Sequence, residues 1–355
     1  MSVATGLAIG SQPKPKLAQR AVVEAMGKAG LEVANSVLLF LTSEFARDPL
    51  PALKAAGRAA SCVQVIGCSA PGIFTEQDWV VDAPAAAAMV FGGGCGLAPA
   101  HAPQPEQLLM ALAAPSAINL TWLAAPGMRF GGVSGDATGQ GPFSVWQNGR
   151  CATAGHCEAS LHGVAGAVAA AHGVRVLSEP RPVTAGQGHD VMFLGGMPAL
   201  ETLQLACVED PLPLHRLMAG IAGSAYEVER GQYRLTTLVG TNDAERSVTL
   251  AQQVEPGQLV FWALRETDAA LADLDATVTS LLGKDQAAPE FGLLFSCLGR
   301  GPYFYSGVDR DLELLQRRLP GMPLIGFYGN GEIAPINGVN ELLQYSAVLG
   351  LFHCV

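Results

Sequence analysis

The residues best equipped for chemistry gather where apolar segments end. Gly67-Cys68-Ser69-Ala70-Pro71-Gly72 sets a thiol and a hydroxyl in a glycine-rich run. Ser296-Cys297-Leu298-Gly299-Arg300-Gly301 sets a second thiol three residues from a guanidinium, and Gly326-Phe327-Tyr328-Gly329-Asn330-Gly331-Glu332 adds an amide and a carboxylate. Phe130-Gly131-Gly132-Val133-Ser134-Gly135-Asp136 is a further glycine-rich segment. Glycine lets a ligand approach the backbone closely, and successive free N–H groups in such turns form an anion-binding concavity. Arg300 offers a bidentate fork to a carboxylate or phosphate, or a structural partner to Asp309 or Glu332. Glu332 suits an ammonium group or Arg300, and Asn330 suits a left-handed turn position or a ligand contact. An amino-acid-like ligand needs one partner of each sign, which Arg300 and Glu332 together supply. The candidate ligand-binding set is Cys68, Ser69, Gly131, Gly132, Cys297, Gly299, Arg300, Gly326, Asn330 and Glu332.

Catalytic readings find less support. Gly67 to Gly72 is one residue off the G-x-S-x-G nucleophile elbow, and Pro71 stands where its helix would begin. Neither a phosphate-binding G-x4-G-K-[ST] loop nor a dinucleotide fingerprint is present, since Pro302-Tyr303-Phe304 follows Gly299-Arg300-Gly301. A hydrolase or transferase would have to use Ser69 or Cys297 beside a base. Cys297 alone has a hint of the electropositive setting a reactive thiol needs. Cys151, His156, Cys157 and His162 form a single cluster without the paired spacings of zinc sites, so no metal is expected. His162 and His189 are histidines that a haem would draw on, though nothing marks either. Asp309/Asp311 and Asp273/Asp275 read as helix caps or wet faces.

The elements that must position these groups follow from periodicity. Residues 17–29 carry apolar positions at helical spacing, with Glu24 and Lys28 outside and Gly30 as the stop. Residues 36–41 are a continuous apolar run, the mark of a strand buried on both faces. A helix at 51–60 and a strand at 62–66 lead into the first glycine turn. The C-terminal end repeats this plan with a strand at 292–296, a helix at 309–319 and a strand at 323–325 entering the Gly326 turn. A further apolar strand follows each copy, at 85–91 and at 346–352. An internal strand–helix–strand duplication is therefore expected. Between the copies, helices are predicted at 105–113, 198–205, 213–221 and 268–282, and strands at 118–123, 234–239, 248–253 and 258–264. The fold class is mixed α/β, with two related domains of mixed sheets and helices packed outside.

Composition limits the partners. The chain has 355 residues, 49% of them hydrophobic and 15% charged, which supports a sizeable core and excludes a disordered chain. The formal charge is −10 with no Lys/Arg cluster, which argues against nucleic acid and anionic membranes. No secretory leader or membrane-spanning run is read in the sequence, and the eight cysteines lack a CxxC pair. A cytoplasmic protein with reduced, mostly buried thiols is the expectation.

Ser296 to Gly301 and Gly326 to Pro335 resemble the hallmark of the FIST C-terminal domain. Gly67-Cys68-Ser69, Phe130-Gly131-Gly132 and the stretch from Arg181-Pro182-Val183-Thr184 to Gly195-Gly196-Met197-Pro198-Ala199-Leu200 resemble its N-terminal partner domain. Ser178 to Val183 departs from the family's usual Pro-Ile-Gly lead. The resemblance implies domains at 1–197 and 198–355 and a bacterial-type sensory protein for small ligands in signal transduction; with no complete catalytic motif in the sequence, no enzymatic activity is expected. With no output module in the sequence, a separate signalling protein is the implied partner. Some FIST proteins are reported to bind haem, so a haem-based nitric oxide sensor is the alternative to a cofactor-free, amino-acid-like ligand site.

Overall fold

Short, uniformly apolar runs set the frame, because a strand buried on both faces has no wet side. The computed structural model describes residues 2–209, 211–284 and 287–355. Two compact units divide it, Met1–Ala170 with Asp275–Val355, and Ala171–Leu274.

The first unit is built three times over. Its first repeat runs β1 (Val3–Ile9), α1 (Pro15–Ala29), β2 (Ser36–Thr42), α2 (Leu50–Ala59), β3 (Val65–Ala70), a hairpin of β4 (Gly72–Thr75) and β5 (Trp79–Val81), and β6 (Ala85–Phe91). The second runs β7 (Gly96–Pro99), β8 (Leu108–Ala113), α3 (Leu120–Leu123), β9 (Met128–Val133), a hairpin of β10 (Val145–Gln147) and β11 (Arg150–Cys151), and β12 (His156–His162). The third opens with β13 (Val164–Ala171) and is interrupted by the second unit.

That second unit holds β14 (Val174–Val176), β15 (Arg181–Gln187), β16 (Asp190–Leu194), β17 (Met197–Pro198), α4 (Ala199–Ala206), β18 (Leu217–Ala222), α5 (Ala225–Glu229), β19 (Arg234–Asn242), β20 (Ser247–Leu250) and β21 (Leu259–Arg265). Its strands pair antiparallel in one sheet. Ala199, Leu200 and Leu203 of α4 pack with Trp262 in its core. The Trp262 indole N–H is satisfied by Thr202 Oγ1 at 2.9 Å.

After α6 (Thr267–Lys284), the third repeat resumes with β22 (Phe291–Cys297), α7 (Arg310–Arg318), β23 (Leu324–Gly329), a hairpin of β24 (Glu332–Ile336) and β25 (Val339–Leu343), and β26 (Ala347–Cys354). Each repeat centres on a parallel pair joined through a helix: β2 with β3, β8 with β9, and β22 with β23. The three sheets run β1-β6-β2-β3-β10-β11, β7-β12-β8-β9-β24-β25 and β13-β26-β22-β23-β4-β5. Every hairpin thus completes another repeat's sheet, and the exchange is cyclic.

One glycine per repeat makes that exchange possible. Gly67, Gly131 and Gly326 sit opposite Leu39, Ala111 and Leu294 in the parallel pairs. A Cβ at these glycines would stand 1.7, 1.8 and 1.9 Å from the facing carbonyl oxygens. The crossing hairpins press on two of them: a Cβ at Gly67 would meet Trp146 Nε1 at 2.8 Å, and one at Gly326 would meet the Phe74 ring at 2.4 Å. The three sheets share one core, where Phe40 packs 4.9 Å from Phe327, Phe295 5.5 Å from Phe327 and Phe130 6.1 Å from Phe295.

The expected duplication is two of these three copies. The middle copy escaped because α3 is a single turn, too short to show a helical period. Residues 108–113 and 217–222 form strands where helices were expected, since both runs are apolar on every face. Residues 120–123 form a helix where a strand was expected, nucleated by the Asn119 side chain accepting from the Trp122 N–H. The cysteines are not all reduced thiols: Cys95 and Cys354 form a disulfide across a sequence separation of 259. Cysteine usage therefore gives no argument for a reducing compartment. Among the described residues no helix is long and apolar enough to cross a membrane.

Gly326→Ala should lose about 3 kcal/mol of stability or more, through backbone displacement. Gly27→Ala, on α1 with nothing within 4 Å of the new Cβ, should gain about 0.5–1 kcal/mol. Urea denaturation of the pair checks both signs.

Candidate functional site

The strand-end turns of all three repeats meet. A Cβ on Gly135 would lie 3.2 Å from Pro71 Cδ and 3.3 Å from Asn330 Cβ. Ser134 donates to the Ser69 carbonyl at 2.6 Å, and the two hydroxyl oxygens are 3.2 Å apart. The Ser144 N–H donates to Ser69 Oγ at 3.0 Å. The third turn is clasped to the second: Asn330 N–H donates to the Val133 carbonyl at 2.9 Å and Val133 N–H to the Gly331 carbonyl at 2.9 Å. The Leu298 N–H donates to the Gly329 carbonyl, also at 2.9 Å.

The candidate residues divide by depth. Asn330 is exposed, and Leu298 and Gly299 are half-buried. Ser69 is fully buried within the serine cluster. Cys68 faces the shared core, where burial, and then the nearby Cys157, push its thiol well above the ordinary range. It is a packing residue. Gly67, Gly131 and Gly326 lie inside strands rather than in turns, so β3 and β23 run further than the sequence suggested. Gly132 faces the core, where a Cβ would meet Phe327 at 2.7 Å. Cys297 ends β22, 8% exposed.

Glu332 differs from the rest. It opens β24 opposite Gly132 on β9 and Leu343 on β25, with no exposed surface. Its Oε2 accepts the Ser346 N–H at 3.3 Å, while its buried Oε1 has no hydrogen-bond partner. Burial pushes this carboxyl well above the usual carboxylate range, against the smaller pull of the Ser346 N–H and the Arg300 charge.

Arg300 pairs with Asp311 rather than directly with Asp309 or Glu332, although its charge acts on both of those carboxyls. Its Nε lies 2.7 Å from Asp311 Oδ2 and its Nη2 3.4 Å from Oδ1, while Tyr305 donates to Oδ1 at 2.6 Å. Asp311 is 2% exposed, so it is not on a wet face. Asp309 does cap α7, accepting the Leu312 N–H at 2.9 Å, and it also accepts the Tyr328 hydroxyl. Burial raises the Asp309 carboxyl to about 6, opposed by Tyr328 and the Leu312 N–H.

The cysteines and histidines weighed as metal or haem ligands do not form a metal site among the described residues. Cys151 is exposed, Cys157 sits in the core, His156 lies tilted against Trp122, and His162 Nε2 lies 3.3 Å from Ser160 Oγ. Among the described residues no group of three His, Cys, Asp or Glu could hold a metal ion. His189 Nδ1 lies 3.0 Å from the Leu250 carbonyl. Sequence reasoning missed Ser134, Tyr305, Tyr328 and the role of Asp311. It also missed Arg129, although a charge inside the apolar run Met128–Val133 was a readable signal.

Because Arg300 is 1% exposed and ion-paired, Arg300→Ala does not spare the fold. It should cost about 3–5 kcal/mol by stranding Asp311, as chemical denaturation will show. For Asp309 the folded pKa is raised, so its contribution is complete below about 4 and is lost as pH rises through about 6. Asp309→Asn keeps a capping oxygen. The wild type should lose about 3 kcal/mol relative to this variant across that window, read from denaturation midpoints.

Residues 199–335 match the family model of the FIST C domain. Over 229 residues, covering 62% of this chain and 60% of the relative, the sequence is 30% identical to an uncharacterized protein of Mycobacterium tuberculosis. It is 29% identical over 229 residues, 59% of the relative, to an uncharacterized protein of Mycobacterium bovis. The matched segment thus spans about 60% of the length of these curated relatives. The family match begins near residue 198, whereas the compact units change at 170/171 and 274/275, so domain likeness and structural unit follow different boundaries. Through residues 199–335 this chain carries a FIST C domain.

Proposed function

We propose that this chain is a small-ligand-binding sensory protein of signal transduction, reading its ligand where the strand-end turns meet. The FIST C domain supports the sensory role. One observation carries the site: Glu332 Oε1, a buried carboxyl oxygen without a partner, two residues from exposed Asn330. An orphaned buried oxygen costs about 1–3 kcal/mol, which a ligand donor recovers. An ammonium group arriving at Oε1 supplies both the hydrogen bond and the charge that favours the ionised carboxylate. That chemistry suits an amino-acid-like ligand. Its carboxylate is left to the exposed side-chain amide of Asn330 rather than to Arg300, whose Nε and Nη2 Asp311 occupies.

The proposal contains no catalytic step, and the hydrogen-bond partners of Ser69 are Ser134 and Ser144. The bound state is passed to a separate signalling partner.

Native mass spectrometry of freshly purified protein, with a visible absorption spectrum, tests this reading. The wild type should carry a small molecule that denaturation releases. Glu332→Gln should keep its fold and lose occupancy at least tenfold. Equal occupancy in the variant, or a Soret band from bound haem, would contradict the proposal.

A further inference from the structure

A second cleft, in the middle repeat and independent of Glu332, has the features of a built site. Arg129 stands on β9, 2% exposed. Its Nε donates to Glu158 Oε1 at 2.6 Å, its Nη1 to the Ala125 and Gly127 carbonyls at 2.7 and 3.1 Å, and its Nη2 to the Pro126 carbonyl at 3.2 Å. The guanidinium is spent on structure. Glu158 Oε1 also takes the Trp122 indole N–H at 2.6 Å, so one carboxylate oxygen serves two donors. The other, Oε2, is engaged by no described residue, and the Glu158 side chain is 18% exposed. Beside it the His156 ring lies tilted by 35° against Trp122, ring centroids 4.7 Å apart, and its buried Nδ1 has no hydrogen-bond partner. Both residues line a cleft of about 350 Å³ whose other walls include Pro103, Pro126 and the polar Gln147.

These facts specify a ligand chemistry. Ligand clefts are mostly apolar with a few fixed polar groups, and their usual volumes begin at about 300 Å³. Arg129 already neutralises Glu158, so a charged ligand would bring charge that nothing here balances. An unengaged carboxylate oxygen and an unengaged imidazole nitrogen, two residues apart on one face of β12 and lining one cleft, instead ask for an N–H group and a further polar atom on a flat body. We propose that this cleft binds a small, neutral, planar molecule bearing an N–H donor, of the amide, lactam or nitrogen-heterocycle class. The N–H donates to Glu158 Oε2, and the further polar atom meets His156 Nδ1.

Glu158 is left intact in the test, because removing it would strand Arg129. The probe is nicotinamide, with benzamidine and benzoate as cationic and anionic counterparts. Binding is followed through the ring-nitrogen resonances of ¹⁵N-histidine-labelled wild type and, in both wild type and variant, by isothermal titration calorimetry. Nicotinamide should move the His156 signals saturably, and bind at least tenfold more tightly than either charged probe. His156→Phe keeps an aromatic ring on Trp122 but removes the nitrogen, and should weaken nicotinamide at least tenfold. Unmoved His156 resonances in the wild type overturn the proposal whatever the variant does. So does undiminished binding by folded His156→Phe, or equal binding of benzamidine or benzoate.

Discussion

The architecture depends on three places where the backbone tolerates no side chain. Gly67, Gly131 and Gly326 each face a carbonyl of the neighbouring parallel strand at a separation that excludes a Cβ. At two of them, the space so freed is where an aromatic residue from another repeat's hairpin crosses. The cyclic hairpin exchange follows, and with it three sheets around one phenylalanine-rich core. Because each parallel strand ends just beyond its glycine, the exchange also draws three strand ends to one place. The glycines therefore act on the proposed site at one remove. They bring the turns together without forming the proposed ligand surface themselves.

Buried polarity around that meeting point is settled unequally. Arg300, Asp311 and Tyr305 satisfy one another, as do Asp309, Tyr328 and the first turn of α7. These groups fix the loop after β22 and the start of α7, and an ion pair of this kind holds geometry more than it adds stability. Glu332 stands outside that arrangement with half of its hydrogen-bonding capacity unused. Buried polar atoms are nearly always paired, so a carboxyl left open beside converging turns points to function rather than to packing.

What the sequence made legible follows physical rules that act locally. Continuous apolar runs located β2, β6, β22 and β26, and helical spacing located α1 and α7. The Gly67 and Gly326 segments were correctly paired as equivalents, and the structure brings Pro71, Gly135 and Asn330 close together. Three-fold organisation was hidden, because α3 is one turn long and residues 108–113 are apolar on every face. Hairpin exchange was hidden too, since no local signal says whose sheet a hairpin joins. Arg300's partner was misjudged for a similar reason. Asp309, Asp311 and Glu332 all lie within reach along the chain, and only the path of α7 decides among them.

The central proposal is that a ligand cation reaches the Glu332 carboxyl and draws it toward the ionised form, against the burial that raises its pKa. Infrared difference spectroscopy between ligand-stripped and ligand-loaded protein reads this directly, with Glu332→Gln identifying the band. The account predicts a protonated carboxyl C=O band in the stripped wild type that disappears on loading and is missing from the variant. A Glu332 that is already ionised without ligand, or a band unchanged by loading, would contradict it.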